Sequence, residues 1–366
     1  MIKKVKIIGA GSIGNHLSHA SRQMGWDVDL CDIDSAALER TRNQIYPARY
    51  GAWDNAIRLF TSDNAPTEGY DLICIGTPPD VHIPLAVKAL GENPKALLIE
   101  KPLCRPDLKQ MAELAADAAK SKTQVFVGYD HAVGGASSYM IAELPDLGTL
   151  ETLDVEFREY WGGIFAAHPW LSGPSETYLG YWRRGGGASG EHSHAIHLWQ
   201  HFARSAGAGK VIEVSAELKY VRDGVVDYDA ICALSLRTEE GMVGRVIQDV
   251  ITRPTRKWAR LQGQNGALEW FGNQKGNDDM VIRHRIGSDA ETTWFHKTRP
   301  DDFVRELKHI QAQLQGSGIS PMISPISLES GLDTMMVVAA AHRSATERRV
   351  VLIDYAKGYT EAALHS

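Results

Sequence analysis

The chain opens with a β-branched run that ends in a glycine-rich turn, Val5-Lys6-Ile7-Ile8-Gly9-Ala10-Gly11-Ser12-Ile13-Gly14, and a helical stretch follows from Ser12 to Met24. An acidic residue, Asp32, closes the next apolar run, which starts at Trp26. Three glycines so spaced between a strand and a helix, about 20 residues ahead of a carboxylate, form the dinucleotide-binding fingerprint of a parallel α/β sheet. Gly9 permits the tight turn out of the strand, Gly11 lets the backbone approach a pyrophosphate, and Gly14 lets the helix pack closely on the sheet. The N–H groups at the helix start, around Ser12 and Ile13, hold the phosphate charge. Asp32 accepts hydrogen bonds from the adenosine ribose and repels a 2′-phosphate. Ile33, Asp34 and Ser35 follow it with no arginine, so the pattern favours NAD over NADP.

From Met1 to about Val127 short apolar strands alternate with amphipathic helices, the form of a doubly wound parallel (Rossmann) sheet. The expected helices include Ser35–Gln44, Asp80–Leu90 and Pro106–Lys120. After Gly128 longer alternating runs, from Leu150–Tyr160 to Thr292–Thr298, read as a large open, mostly antiparallel sheet. Helices are expected at His194–Ala203, Asp301–Gln315 and Ser327–Glu347. The chain therefore divides into a nucleotide-binding domain, residues 1–128, and an α/β domain for substrate and oligomerisation, residues 129–366, with the final helix a candidate to pack back on the first domain. An open sheet face of this kind commonly pairs with a second copy, so a homo-oligomer, dimer or tetramer, is expected.

With 366 residues and a formal net charge of −6, the chain has length for two cores and no excess of positive charge to attract nucleic acid or an anionic membrane. Cys31, Cys74, Cys104 and Cys232 are scattered without a C-x-x-C pair, as in a reduced cytoplasmic protein. No run approaches the ~20 apolar residues that span a bilayer.

Ligands of doubly wound sheets lie beyond the carboxyl ends of the strands. Two strand ends matter here, Gly76-Thr77-Pro78-Pro79, with His82 shortly after, and Glu100-Lys101-Pro102. Charges are costly to bury, so Glu100 and Lys101 are expected to face a cleft, where a lysine can stabilise negative charge developing on a substrate oxygen. A second constellation runs from Tyr181-Trp182-Arg183-Arg184 through Gly185-Gly186-Gly187 to Glu191-His192-Ser193-His194-Ala195-Ile196-His197. Removing a hydride from an alcohol carbon needs a base for the hydroxyl proton, and one of these imidazoles suits that task. Between Phe157 and Trp182 stand 8 aromatic residues, among them Trp161, Phe165 and Trp170, in a segment that can lid the cleft and stack on a sugar's C–H face.

The fingerprint, the G-T-P-P turn, the E-K-P strand end, and W-R followed by G-G-G with an acidic residue and a histidine resemble the Gfo/Idh/MocA family of sugar and cyclitol oxidoreductases over essentially the whole chain. The resemblance implies hydride transfer with a nicotinamide cofactor and casts Lys101 and His194 as the pair acting on the reacting hydroxyl; Glu191, three residues earlier, is expected to orient His194 or to hold a neighbouring hydroxyl. The resemblance also suggests Thr77, Pro78, His82, Glu100 and Lys101 at the cofactor and Tyr129, His131, Trp161 and Arg183 at the substrate. The chain departs from the family pattern in three places. Glu191 precedes His194 by three residues where the family commonly has Asp at four, His197 stands where another Asp is common, and Gly128-Tyr129-Asp130-His131-Ala132 lacks an arginine often found there. His192 is thereby a rival base.

Two other readings compete. His194, His197 and His201 share a helical face, with His192 just before, at spacings that suit a metal ion, although the resemblance implies none. A NAD(H)-binding sensor of the same fold that has lost catalysis would bind nucleotide without turnover.

Overall fold

The computed structural model describes residues 1–166, 168–316 and 324–366. Its first sheet has six parallel strands, β1 (Lys4–Ile8), β2 (Asp27–Asp32), β3 (Ile57–Thr61), β4 (Leu72–Ile75), β5 (Ala96–Glu100) and β6 (Gln124–Gly128), in the order β3-β2-β1-β4-β5-β6. Every residue of β4 and β5 is buried. Strands covered on both faces read as continuous apolar runs, which is why these two are plain in the sequence. The order reverses between β1 and β4, and that switch point leaves a crevice outside the carboxyl ends of the strands.

The sequence pattern leaves residues 45–71 unassigned, and besides a 3-10 turn, Ser62–Asn64, the structure places two elements there. One is β3, a five-residue edge strand whose Arg58 grips the buried Asp29 through Nε at 2.7 Å and Nη2 at 2.9 Å. The other prolongs the helix Ser35–Arg40 through a π turn, Thr41–Ile45, into a last piece, Tyr46–Tyr50. Tyr46 N–H bonds back to the Thr41 carbonyl, and Pro47 sits in the first turn of the new piece, where its missing N–H costs nothing. A second difference concerns Pro106–Lys120, which is helical only from Met111. Leu108 (φ 53°) and Gln110 (φ 62°) take left-handed backbone, and no α-helix runs through such residues.

The second sheet has ten strands, β7 (Leu150–Arg158), β8 (Val211–Asp223), β9 (Val226–Thr238), β10 (Val243–Asp249), β11 (Arg256–Gly263), β12 (Gly266–Lys275), β13 (Asp278–Arg285), β14 (Glu291–Phe295), β15 (Val351–Ile353) and β16 (Leu364–His365). They lie in the order β14-β13-β12-β11-β7-β10-β9-β8-β15-β16. Only β7 with β10 is a parallel pair; the other neighbours are antiparallel. One face is covered by the helix His194–Ser205, whose Trp199 Nε1 donates to the Leu153 carbonyl at 2.8 Å, and by the helix Leu328–Glu347, whose Ser344 Oγ accepts from Ala216 N at 3.0 Å. The opposite face carries cross-strand ion pairs, Arg245 with Asp154, Arg256 with Glu156 and Arg260 with Glu269.

Two helices after the second sheet's main strands return to the first. Val127 N–H of β6 donates to the Ile326 carbonyl at 2.9 Å, and Gly331 lies so close that a Cβ there would meet Val127 Cγ2 at 2.5 Å. From the helix Arg299–Leu314, Phe303 stacks on His16 of the first helix at 4.8 Å and 10°. All four cysteines are free and buried, and no helix among the described residues is long and apolar enough to cross a membrane.

Candidate active site

The carboxyl ends of the first sheet open into a cavity of about 1010 Å³ whose opposite wall comes from β7, β11, β12 and the segment between β7 and the helix His194–Ser205. Gly11, Ser12, Ile13, Thr77, Pro78, Glu100 and Lys101 line the nucleotide side. The three fingerprint glycines differ in what confines them. Gly9 takes φ +106° and would press a Cβ to 2.8 Å from the Gly76 carbonyl oxygen, while a Cβ on Gly14 would lie 1.9 Å from the Gly9 oxygen. Nothing stands within 4 Å of a Cβ on Gly11. The first two glycines serve the protein's own packing; the third keeps a space clear, and that space fits a pyrophosphate at the helix start. Asp32 Oδ2 accepts from Ala10 N at 2.7 Å and Oδ1 from Asp34 N at 2.9 Å, which ties the glycine turn to the end of β2. A carboxylate has about four acceptor positions, so ribose hydroxyls still find lone pairs there.

At the reaction side, β5 delivers Glu100 and Lys101, and the Lys101–Pro102 peptide is cis. Glu100 is 5% exposed, and Gly128 has no side chain in its way: a Cβ there would stand 2.8 Å from Glu100 Oε2. Lys101 Nζ donates to Glu191 Oε2 at 3.0 Å and to the Glu191 carbonyl at 2.8 Å. Glu191 ends a short helix, Gly187–Glu191, and the buried Asp229 carboxylate holds the start of that helix through Ser189 N at 2.7 Å and Ser189 Oγ at 3.1 Å. Burial pushes the Glu191 carboxyl up, but the charges of Lys101 and His192 together with the Lys101 hydrogen bond outweigh it and hold the group below its ordinary value.

His194 opens the next helix and lines the same cavity. Its Nδ1 lies 3.7 Å from Asp130 Oδ1, beyond hydrogen-bond reach. Burial, then the positive potential of His131, Lys101 and Lys257, holds its pKa well below that of a free imidazole, so it is neutral at pH 7. His192 also lines the cavity, is pushed down to about 4 by burial, and keeps an Nε2 with no hydrogen-bond partner among the described residues.

Of the residues expected from sequence at the substrate, His131 lines the cavity and three others do not. Tyr129 is fully buried and stacks on His197 at 4.1 Å and 7°, because the chain turns inward after Gly128. Trp161 is 5% exposed and packs on Tyr228 at 4.4 Å. Arg183 points out to Asp227 at 2.6 Å and stacks on Trp182, whereas its neighbour Arg184 turns to the cavity and pairs with Asp80 at 2.8 Å. Among the cofactor expectations, His82 is buried behind the wall, its ring nitrogens 2.7 Å from the Thr77 carbonyl and 3.0 Å from the Pro102 carbonyl, so it braces the two strand ends against each other. The histidine row does not converge on a common point, since His197 Nε2 is bonded to the Pro325 carbonyl at 2.9 Å. Asp130, His131 and His194 do bring ligand-type atoms within 4.8 Å of one another.

Other lining residues carry no sequence signal. Arg49, Glu159, Lys257, Asn273 and Glu306 come from separate helices and strands and meet only in the folded chain. Lys257 pairs with Glu159 at 3.6 Å across neighbouring strands, and Phe165, Trp170 and Tyr178 of the aromatic segment close one side.

Residues 3–129 match the GFO_IDH_MocA family model, an oxidoreductase family with an NAD-binding Rossmann fold. No curated protein matches the chain in sequence. Solved structures share its fold along nearly the whole length. Levoglucosan dehydrogenase, in complex with NADH and L-sorbose, has a TM-score of 0.75 at 17% identity over 96% of this chain and 98% of its own. The WlbA dehydrogenase from Bordetella pertussis, in complex with NADH and UDP-GlcNAcA, has a TM-score of 0.71 at 17% identity, covering 96% and 99%. An NAD-binding oxidoreductase from Klebsiella pneumoniae has a TM-score of 0.73 at 19% identity, covering 96% and 98%. At these identities the likeness is one of fold, and it includes both sheets.

Proposed function

We propose, from a chain whose residues 3–129 match the Gfo/Idh/MocA family model, that it is an NAD-dependent dehydrogenase or reductase acting at a secondary alcohol or ketone of a sugar, cyclitol or related polyol. The observation that carries the reading is the Lys101 ammonium, fixed 3.0 Å from Glu191 inside a cavity that it shares with the open space at Gly11 and with a neutral His194. Two structural neighbours whose ligands include a sugar or sugar derivative with NADH support the substrate class. In this reading residues 1–128 hold the nucleotide and residues 129–366 the polyol. A second copy would dock on the outer face of the second sheet, where Ile247, Trp258 and Phe271 are half-exposed.

Bound NAD supplies the hydride acceptor, and NADH the donor in the reverse direction. Lys101 donates a hydrogen bond to the reacting oxygen and stabilises the negative charge that grows there as its proton leaves. Glu191 holds the ammonium in place and accepts from a neighbouring hydroxyl. His194 takes the hydroxyl proton; an imidazole held below its ordinary pKa is already unprotonated at neutral pH, so oxidation starts from the ready state. Phe165 and Tyr178 stack on the apolar face of the ring and keep bulk water from the reacting carbon.

The test is absorbance at the reduced-nicotinamide band with a panel of free sugars, cyclitols, sugar acids and nucleotide sugars, run with NAD and NADP, on the wild type and on His194→Ala and His192→Ala. Turnover on one class, lost with His194→Ala, supports the reading. Loss with His192→Ala alone moves the base to His192. Silence across the panel beside tight NADH binding supports the sensor instead.

A further inference from the structure

The helix Tyr46–Tyr50 takes no part in the proton chemistry, yet it sets a cation at the glycine turn. Arg49 donates from Nη2 to Ser12 Oγ at 2.8 Å and from Nη1 to the Ser12 carbonyl at 3.0 Å, and Nη1 lies 3.4 Å from His16 Nε2. It lines the cavity beside Gly11, Ser12 and Ile13, where a Cβ on Gly11 would meet open space.

The turn's N–H groups and the helix dipole supply about half a positive charge, whereas a dinucleotide's pyrophosphate is a dianion. We propose that Arg49 is the side-chain ligand of the cofactor's pyrophosphate. Arginine–phosphate bonds are charge-assisted with both partners ionised, and the planar fork can hold two oxygens at once. The π turn Thr41–Ile45 is what aims the residue: it shifts the register of the helix before Pro47 and turns Arg49 back over Ser12. Trp170 lies over the guanidinium at 5.9 Å, so the aromatic segment from the second sheet reaches the cofactor site at this residue. The proposal rests on nucleotide binding by the glycine turn and not on the identity of the polyol.

The experiment compares the binding of NADH, by fluorescence, and of ADP-ribose and adenosine, by displacement, to the wild type, Arg49→Met and Arg49→Lys. Thermal unfolding of each ligand-free variant checks the fold. In Arg49→Met, NADH and ADP-ribose should weaken by about 10- to 100-fold, while adenosine, which has no phosphate, changes less than about 3-fold. Arg49→Lys should recover part of the loss, since it keeps the charge without the fork. Equal losses for adenosine and NADH would mean that Arg49 only braces Ser12, and no loss for NADH would place the pyrophosphate elsewhere; either overturns the proposal. A wild type that binds neither NADH nor ADP-ribose defeats the nucleotide reading itself, a failure distinct from that of Arg49.

Discussion

Replacing Lys101 by Met should separate chemistry from binding more sharply than any other single change. Lys101 Nζ makes two hydrogen bonds to Glu191, at 2.8 and 3.0 Å, and its side chain is only 12% exposed, so the substitution removes a cation from a half-closed site while keeping most of the volume. The folding cost stays near 1–3 kcal/mol because Glu191 has a way out: once its cation is gone, burial raises its pKa and it takes up a proton. For domains of this size that is a drop of roughly 2–12 °C in Tm. Catalysis has no such escape. Without a donor aimed at the developing alkoxide, about 3–4 kcal/mol of transition-state stabilisation is lost, or about 100- to 1000-fold in kcat. NADH contacts at the glycine turn and Asp32 are untouched, so Kd should move by less than about 3-fold. Initial rates under saturating cofactor, NADH titration and thermal unfolding read the three quantities. Parallel losses in kcat and NADH affinity, or an unchanged kcat, would refute the catalytic role.

Three further outcomes follow from the geometry. Gly11→Ala should leave the ligand-free protein's Tm within about 2 °C and weaken NADH at least about 10-fold, while Gly14→Ala, with a Cβ 1.9 Å from the Gly9 oxygen, should destabilise the protein without ligand; equal Tm values for the two variants would contradict the division of roles. Asp32→Ser should raise the use of NADP relative to NAD, measured as the ratio of kcat/KM, and an unchanged ratio would remove Asp32 from the ribose site. Burial holds His82, His192 and His201 at about 4 and His342 at about 3, against 6.5 when unfolded, so their contribution is complete above pH 6.5 and is lost as the pH falls toward 4. Asp229, raised by burial to about 7, and Glu306, also raised, act in the opposite sense and offset only part of this. Tm should therefore fall between pH 7 and pH 5, and a flat or rising profile would show that the histidines are not buried neutral.

The cofactor half was legible because its determinants are contiguous. A strand, three glycines, a helix and a carboxylate fall within a few tens of residues, and β4 together with β5 as far as Ile99 announce themselves as unbroken apolar runs. The E-K-P and G-G-G segments were also readable, although their meeting through Lys101 and Glu191 spans the two sheets. The substrate side was much less so. Glu159 and Lys257 become neighbours only when β7 and β11 pair, and Glu306 arrives from a helix far along the chain. Local geometry misled the reading where one residue of offset decides direction. Within the tight turn Trp182–Arg184 successive side chains diverge by about a third of a revolution, so Arg184 and not Arg183 faces the cavity. The π turn at Thr41 is likewise silent in sequence, because any helix former can adopt it when a tertiary contact requires it.

The seam between the final helix and β6 bears on whether the nucleotide-binding half can be lifted out as a module. Ile326, Leu332, Met335 and Met336 are all buried, Ile326 lends its carbonyl to Val127, and a Cβ at Gly331 would already collide with Val127. A fragment ending at Gly128 would carry the whole six-stranded sheet and still leave the flank of Phe126 and Val127 bare, with an apolar edge open to any strand that met it. The last helix thus acts as a clasp from the far end of the chain. Grafts or swaps of the cofactor half are better cut to include residues 324–347 than to stop where the fingerprint ends.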